Sequence, residues 1–404
     1  MTKKMRHKRS SFLIDHLLKN EPIPACYLEV QHTIAPQVNF NTKNTFTHLE
    51  YASFINTYDI PSYYKPILNN QLNTYKELIA PLYAGYAINL SAYTNFQDYI
   101  NKIVRRARWS QLKRYKKRLD LCLQPTYKTY YGTNLEITEY NKLFETLHLI
   151  TEERFQQKEE FNFEIPYLKL YQEIMYPLIL DKKAAIFVIY HQDRPINITL
   201  NFINGNTFFH WNSCYDIKYA MFNLGHINVT NHLDWCFNNN MKLFDMGRGD
   251  FLHKRKWVDT TYIYNDHVVF KSNNLKAIFS AYYKFCYISL RYYSIGFLKR
   301  INVHKLYSLF IHAKYRWFTK NEVAISNEQF EITNNETLLD KANLTLIQPL
   351  SKAHEVVLEP LNYFLHKNQE QFFNVKVYSV NNNTNQFYIE GKNNACMVRM
   401  LNEN

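Results

Sequence analysis

The chain has 404 residues, 46% hydrophobic and 16% aromatic, which suffices for a sizeable core and excludes a disordered chain. Its 48 Lys and Arg against 35 Asp and Glu leave a formal net charge of +13, which points to an anionic partner: a phosphate-bearing cofactor, RNA or a membrane surface. Six singly scattered cysteines give no zinc spacing, no secretory leader follows the basic start, and no apolar run is long enough to predict a membrane span, so a cytoplasmic setting without a metal is expected.

Residues 1–95 are punctuated by prolines and predict short mixed elements, an N-terminal lobe on the substrate side. Within it, Phe46–Tyr58 suggests a helix and Ala84–Leu90 a strand. Between Lys102 and Arg118 the chain places nine basic residues and no acid. Ile103, Ala107, Tyr115 and Leu119 form one apolar stripe, so a helix with a cationic outer face is expected there. Such a face is either merely solvated or meets acidic lipid, RNA or a cofactor phosphate. Thr126–Tyr131 alternates as a strand, and helices are expected over Thr138–Glu159 and Tyr167–Leu180.

Three apolar runs follow, Ala184–His191, Ile196–Ile203 and Thr207–Ser213, separated by Gln192–Pro195 and Asn204–Asn206. Rich in Ile, Val, Thr and Phe, they predict a meander of strands. A helix over His226–Phe237 and a strand over Lys242–Met246 come next, and the strand empties into Gly247-Arg248-Gly249-Asp250. The chain has only 8 glycines, and three of them, Gly225, Gly247 and Gly249, lie here. Positive φ or close backbone approach is expected at each. Thr260–Tyr264 and His267–Phe270 are extended, and Leu275–Phe318 predicts an aromatic helix with Lys276, Lys284, Arg291 and Lys299 on one broad face. That face suits anionic lipid as well as it suits packing with snorkelling cations. From Lys320 the chain turns polar and Asn-rich, with strands over Phe373–Val380 and Gln386–Glu390.

The order of elements over 126–264 resembles that of GNAT-type N-acyltransferases. Phe209–Asp216, Asn223-Leu224-Gly225, and then Asp245, Arg248, Gly249, Lys254 and Trp257 resemble the CelD/BcsL-like acetyltransferase group, relatives of the Fem-type aminoacyl transferases. Met246-Gly247 stands where that group has Phe-Leu, and Asn223-Leu224-Gly225 lacks its Ser-Pro. The resemblance implies an α/β (α+β) fold: a GNAT-like mixed sheet flanked by helices, with an incomplete N-terminal lobe and a C-terminal helical plus small β extension. Four units are expected: the lobe (1–95), the acyltransferase domain (96–265), a basic aromatic helical segment (266–320) and a small β-containing unit (321–404).

The resemblance also implies acyl transfer from acetyl-CoA or another acyl-CoA to an amine-bearing acceptor, such as an amino sugar or envelope precursor. In such a fold two neighbouring strands splay and the thioester lies in the gap. Asn223, Leu224, Gly225 and His226 would face the cofactor phosphates at a helix N-terminus, with Arg248 and Gly249 beside them. Asp216 is the first candidate for holding or activating the amine, and a turn cap is its equal alternative. Asp245, Lys254 and His210 are the further catalytic candidates, with loop-holding or packing as the plainer roles. Two other functions fit the same residues: a tRNA-dependent aminoacyl transferase, and a non-catalytic assembly factor for envelope polysaccharide. Peripheral contact with the inner membrane surface is compatible with each.

Overall fold

A computed structural model describes residues 7–24, 26–35, 40–41, 53–69, 74–132, 135–161, 164–319, 329–333, 343–381 and 383–401. The first half runs β1 (His7–Ser11), β2 (Tyr27–His32), β3 (Phe40–Asn41), β4 (Phe54–Pro61), β5 (Tyr64–Leu68), β6 (Tyr75–Asn89), α1 (Phe96–Ile103), α2 (Arg106–Leu123), β7 (Thr126–Tyr130), α3 (Ile137–Gln157) and α4 (Ile165–Leu180). The second half runs β8 (Ala184–His191), β9 (Arg194–Asn204), β10 (Thr207–Tyr215), α5 (Leu224–Asn238), β11 (Leu243–Arg248), α6 (Leu252–Arg255), β12 (Thr260–Lys271), α7 (Leu275–Arg300) and α8 (Val303–Thr319). The tail adds β13 (Gln329–Thr333), β14 (Leu344–Ile347), α9 (Leu358–Asn368), β15 (Lys376–Val380), β16 (Asn383–Glu390) and β17 (Ala395–Leu401).

Nine strands form one mixed sheet in the order β1-β4-β12-β6-β11-β10-β9-β8-β7. Strands from the first 89 residues thus hydrogen-bond into the sheet that holds the meander. The fold is the mixed α/β sheet flanked by helices that the sequence implies. A three-stranded sheet, β3-β2-β5, and a five-stranded one, β13-β17-β16-β15-β14, complete the architecture. The five-stranded sheet and α9 pack against α2 and the short turn Ile217–Phe222 through Leu119, Phe222, Leu361 and Phe364.

Alternation along the central strands sends successive side chains to opposite faces. Phe209 and Leu243 join the core under α3 and α4, whereas Phe208, Phe244 and Met246 join the core under α1 and α5. Trp257 is wholly buried in the second core, where Tyr99 of α1 donates its hydroxyl to the Trp257 carbonyl at 2.6 Å. Each such large side chain contributes roughly 1.5–3 kcal/mol by leaving water.

The helix expected over Phe46–Tyr58 is corrected. Residues 46–52 lie outside the described residues, and Phe54 onward is β4, paired with β1 on one edge and β12 on the other. The ladder bonds on both edges override the weak helical pattern. The helix expected over Leu275–Phe318 is two, α7 and α8, broken at Asn302, whose φ is +61°.

Candidate active site at a parting of two strands

β10 and β11 run parallel but pair over only three positions, Thr207–Phe209 against Leu243–Asp245. Past Phe209, β10 stays bonded to β9 as far as Tyr215, while β11 reaches Arg248 bonded to β6. The edge of β10 that faces β11 therefore carries backbone N–H and C=O groups without a strand partner. Bulges on both strands produce the divergence. Trp211 is an extra residue between the His210 and Asn212 pairings, and β11 carries an extra residue between Asp245 and Arg248. A bulge bends its strand and increases local twist. Trp211 anchors its bulge against Phe202 and Tyr171, with ring centroids at 5.3 and 6.0 Å.

The β11 wall is locked. The buried Asp245 carboxylate accepts from the hydroxyls of Tyr63 and Tyr262 and from the Gly247 N–H. Burial pushes its carboxyl above the ordinary range, and these donors and Lys254 pull the other way. Gly85 on β6 lets the Tyr262 ring reach Asp245, since a Cβ there would sit 2.2 Å from the ring. Gly247 has φ +71°, a conformation that side chains resist, and it turns the strand out of the sheet. The buried Lys254 ammonium donates to the carbonyls of Met246 and Arg248, each at 2.7 Å, and staples the loop. Burial lowers its pKa to about 8.

On the α5 side lies a cluster of cations. Asn223, at φ +57°, ends the Ile217–Phe222 turn and opens α5. Its carbonyl accepts from His226 and Ile227, which leaves the N–H groups of Leu224 and Gly225 as donors without a partner among the described residues. Arg108 lies 4.5 Å over the Trp257 ring and donates to the Lys256 carbonyl. Its other terminal nitrogen, Nη2, is buried without a partner among the described residues. Burial, and then Arg108, His253 and Lys256, lower the His226 pKa to about 4, so these groups share one field. A phosphate of an acyl-CoA fits here: it would satisfy the orphaned guanidinium nitrogen and neutralise the cluster.

Across the sheet is a cavity of about 750 Å³ between the bulged middle of β4, β6 and β12 and the second half of α7. Arg248, at the end of β11, is part of its wall. Two further bulges shape it: Leu82 on β6, and Tyr58 with Asp59 opposite Asp266. Asp59 has φ +61° and its half-buried carboxylate accepts from the Tyr83 hydroxyl. Burial raises its pKa, against the pull of Tyr83, Arg248 and Arg9.

The residues singled out by sequence fall into separate places. Asp245, Arg248, Gly249 and Lys254 share the β11 loop. His210 lies just past the last β10–β11 pair, stacked on Phe244, with Nδ1 lacking a partner among the described residues and burial lowering its pKa to about 3. Asp216 shares no partner with these. It is buried, caps the Ile217–Phe222 turn through the Lys218 N–H, and pairs with Arg194 at 2.8 Å. Asn223, Leu224, Gly225 and His226 gather at the α5 start. The expectation for Gly225 is corrected: it has no positive φ, and its nearest neighbour to a Cβ is at 4.0 Å. Asn223 supplies the left-handed turn instead. Sequence reasoning missed Arg108, Lys256 and Asp59. The basic run gave a signal for Arg108 without distinguishing it from eight neighbours, and nothing marked Asp59.

The model of the acetyltransferase (GNAT) domain family matches residues 107–255. Among curated proteins none matches the chain in sequence. Among solved structures, the L-PGS structure from Bacillus licheniformis aligns at 12% identity, covering 57% of this chain and 72% of that one, with a TM-score of 0.34. FemX aligns at 11% identity, over 54% and 72%, with a TM-score of 0.39. A tandem GNAT protein from the clavulanic acid biosynthesis pathway aligns at 8% identity, over 55% and 66%, with a TM-score of 0.30. The chain carries an acetyltransferase (GNAT) domain, and it is an acyltransferase.

Proposed function

We propose that the chain transfers an acetyl or longer acyl group from acyl-CoA to the amine of an amino sugar or envelope precursor. The parting of β10 and β11 carries this reading, because it places unpaired backbone amides between a cationic helix start and a cavity. An acyl-CoA would supply the activated thioester carbonyl. Leu224 and Gly225 N–H groups, with Arg108, His226 and Lys256, would hold its phosphates. A free β10 N–H would meet the carbonyl oxygen as charge develops. The acceptor nitrogen forms the new C–N bond, the C–S bond breaks, and the amine proton leaves. Of the two carboxylates in the cavity wall, Asp266 is buried against Asn56, and Asp59 is accessible to take that proton. Asp216 acts at a distance, fixing the turn that aims α5. Arg248 and Lys254 hold the β11 wall, and Gly249 shapes the loop after it.

No helix among the described residues is long and apolar enough to cross a membrane. Instead α7 exposes Phe279, Tyr283, Leu290 and Phe297 along one stripe, each more than 60% accessible, flanked by Lys276, Lys284 and Arg291. This stripe favours peripheral contact with an anionic membrane at the cytoplasmic face. Calorimetry with acetyl-CoA and desulfo-CoA tests the donor. Binding of both is expected, and binding of neither removes the proposal.

A further inference from the structure

The cavity beneath α7 has an unusual charge balance. Arg9, Arg248, Arg291, Lys299 and Arg300 stand in its wall against only Asp59 and Asp266. None of these five cations forms an ion pair within 4.0 Å among the described residues. Some cations elsewhere are paired, as Arg194 is with Asp216, Arg255 with Asp250 and Arg316 with Glu159. Asp266 is nearly inaccessible, and its carboxylate accepts from the Asn56 amide. A concave surface with an uncompensated excess of about three positive charges focuses an attractive field on a multiply charged anion. Guanidinium groups suit the oxygens of a phosphate in particular.

Asp59 gives the same cavity a second kind of contact. It is the accessible carboxylate there, held in a left-handed conformation by its bulge, with Tyr83 fixing one oxygen. Ile288 and Ile295 of α7 line the cavity on the side of the helix opposite Phe279, and Phe297 borders it nearer the helix end. The exposed aromatic stripe and the cavity therefore share one helix and meet at Phe297.

We infer that this cavity is the acceptor subsite and that it takes an amine that also carries a phosphate, with the ammonium on Asp59 and the phosphate on the arginines and lysine of β1, β11 and α7. The inference rests on the acyltransfer reading above and adds the chemical class of the acceptor. Phosphoethanolamine contains both groups, and the test titrates it into the full chain beside ethanolamine, inorganic phosphate and acetyl-CoA. Phosphoethanolamine is expected to bind at least about tenfold more tightly than either fragment, as two charge-assisted contacts require. The double variant R291E/R300E is expected to lose roughly tenfold or more of that binding and to keep its acetyl-CoA affinity. Both arginines are exposed, so the reversal spares the core, and retained acetyl-CoA binding verifies the fold. Vesicles of phosphatidylethanolamine in phosphatidylcholine form a second arm. Competition with soluble phosphoethanolamine assigns the phosphate to a lipid headgroup, and its absence assigns it to a soluble acceptor. Equal phosphoethanolamine binding by the native and double-variant proteins overturns the inference, as does no binding by either. Loss of acetyl-CoA binding alone would strike the donor assignment and leave the phosphate–amine site standing.

Discussion

The two sides of the strand parting are built differently. The proposed donor side draws on Arg108, the α5 start and His253–Trp257, residues that lie within or next to the matched segment 107–255. The proposed acceptor side draws on β1, β4, β6 and α7, and Arg248 is its one contribution from the matched segment. The donor cluster combines the backbone amides of the α5 start with a few cations of the matched segment and its edge. The acceptor cavity depends on bulges in two strands and on a helix that enters late. One side is thus suited to a common substrate, and the other to a specific one.

The sharpest way to break this contrast is Asp59→Asn. With Asp59 as proton acceptor, kcat is expected to fall by roughly 10²–10⁴, while the Kd for acetyl-CoA stays unchanged. An unaltered kcat would leave the cavity without a chemical role. A smaller effect is expected on the other side. Arg108→Glu places a carboxylate where the orphaned guanidinium nitrogen now lies, and acetyl-CoA affinity should drop by about 10–100-fold. Acetyl-pantetheine lacks the pyrophosphate, so its affinity should not change. Equal losses for both ligands would mean that the variant damages the Trp257 packing rather than a phosphate contact.

The difference between the two sides also explains what could be read in the sequence. Strands β8, β9 and β10 were legible because alternation and Asn-Gly turns are local signals. The β11 loop was legible through Asp245, Gly247, Arg248 and Lys254, whose spacing reflects contacts within one turn of chain. The bulges at Trp211, Leu82 and Asp59 were not, because a bulge is a mismatch between two registers and each strand alone looks regular. Asp59 was invisible for that reason: its position depends on β12, more than two hundred residues away. Asp216 looked like a site residue by its place at the strand end. Its partner Arg194 lies at the start of the antiparallel neighbour, a pairing that only the β9–β10 register defines. Gly225 suggested strain that the chain assigns to Asn223, two residues earlier.

The least disruptive test asks whether the acceptor wall is maintained at the expense of the fold. Asp266 is almost inaccessible, and burial raises its pKa to about 6, opposed by Asn56, Lys284 and Arg9. The folded state therefore holds this proton more tightly than the unfolded chain does. Its contribution to stability is greatest below about pH 4 and is lost as the pH rises through about 6. Above that, ionisation in the fold costs on the order of 1–3 kcal/mol. Asp266→Asn keeps an oxygen for the Asn56 amide and removes the charge. Chemical denaturation should find the variant more stable than the native chain by about 1–3 kcal/mol at pH 8, with the difference vanishing near pH 4. Such a gain would mean that the native chain keeps a destabilising carboxylate at the floor of the cavity, as sites maintained for binding often do. A pH-independent difference would instead trace the effect to packing and leave Asp266 with no electrostatic part in shaping that wall.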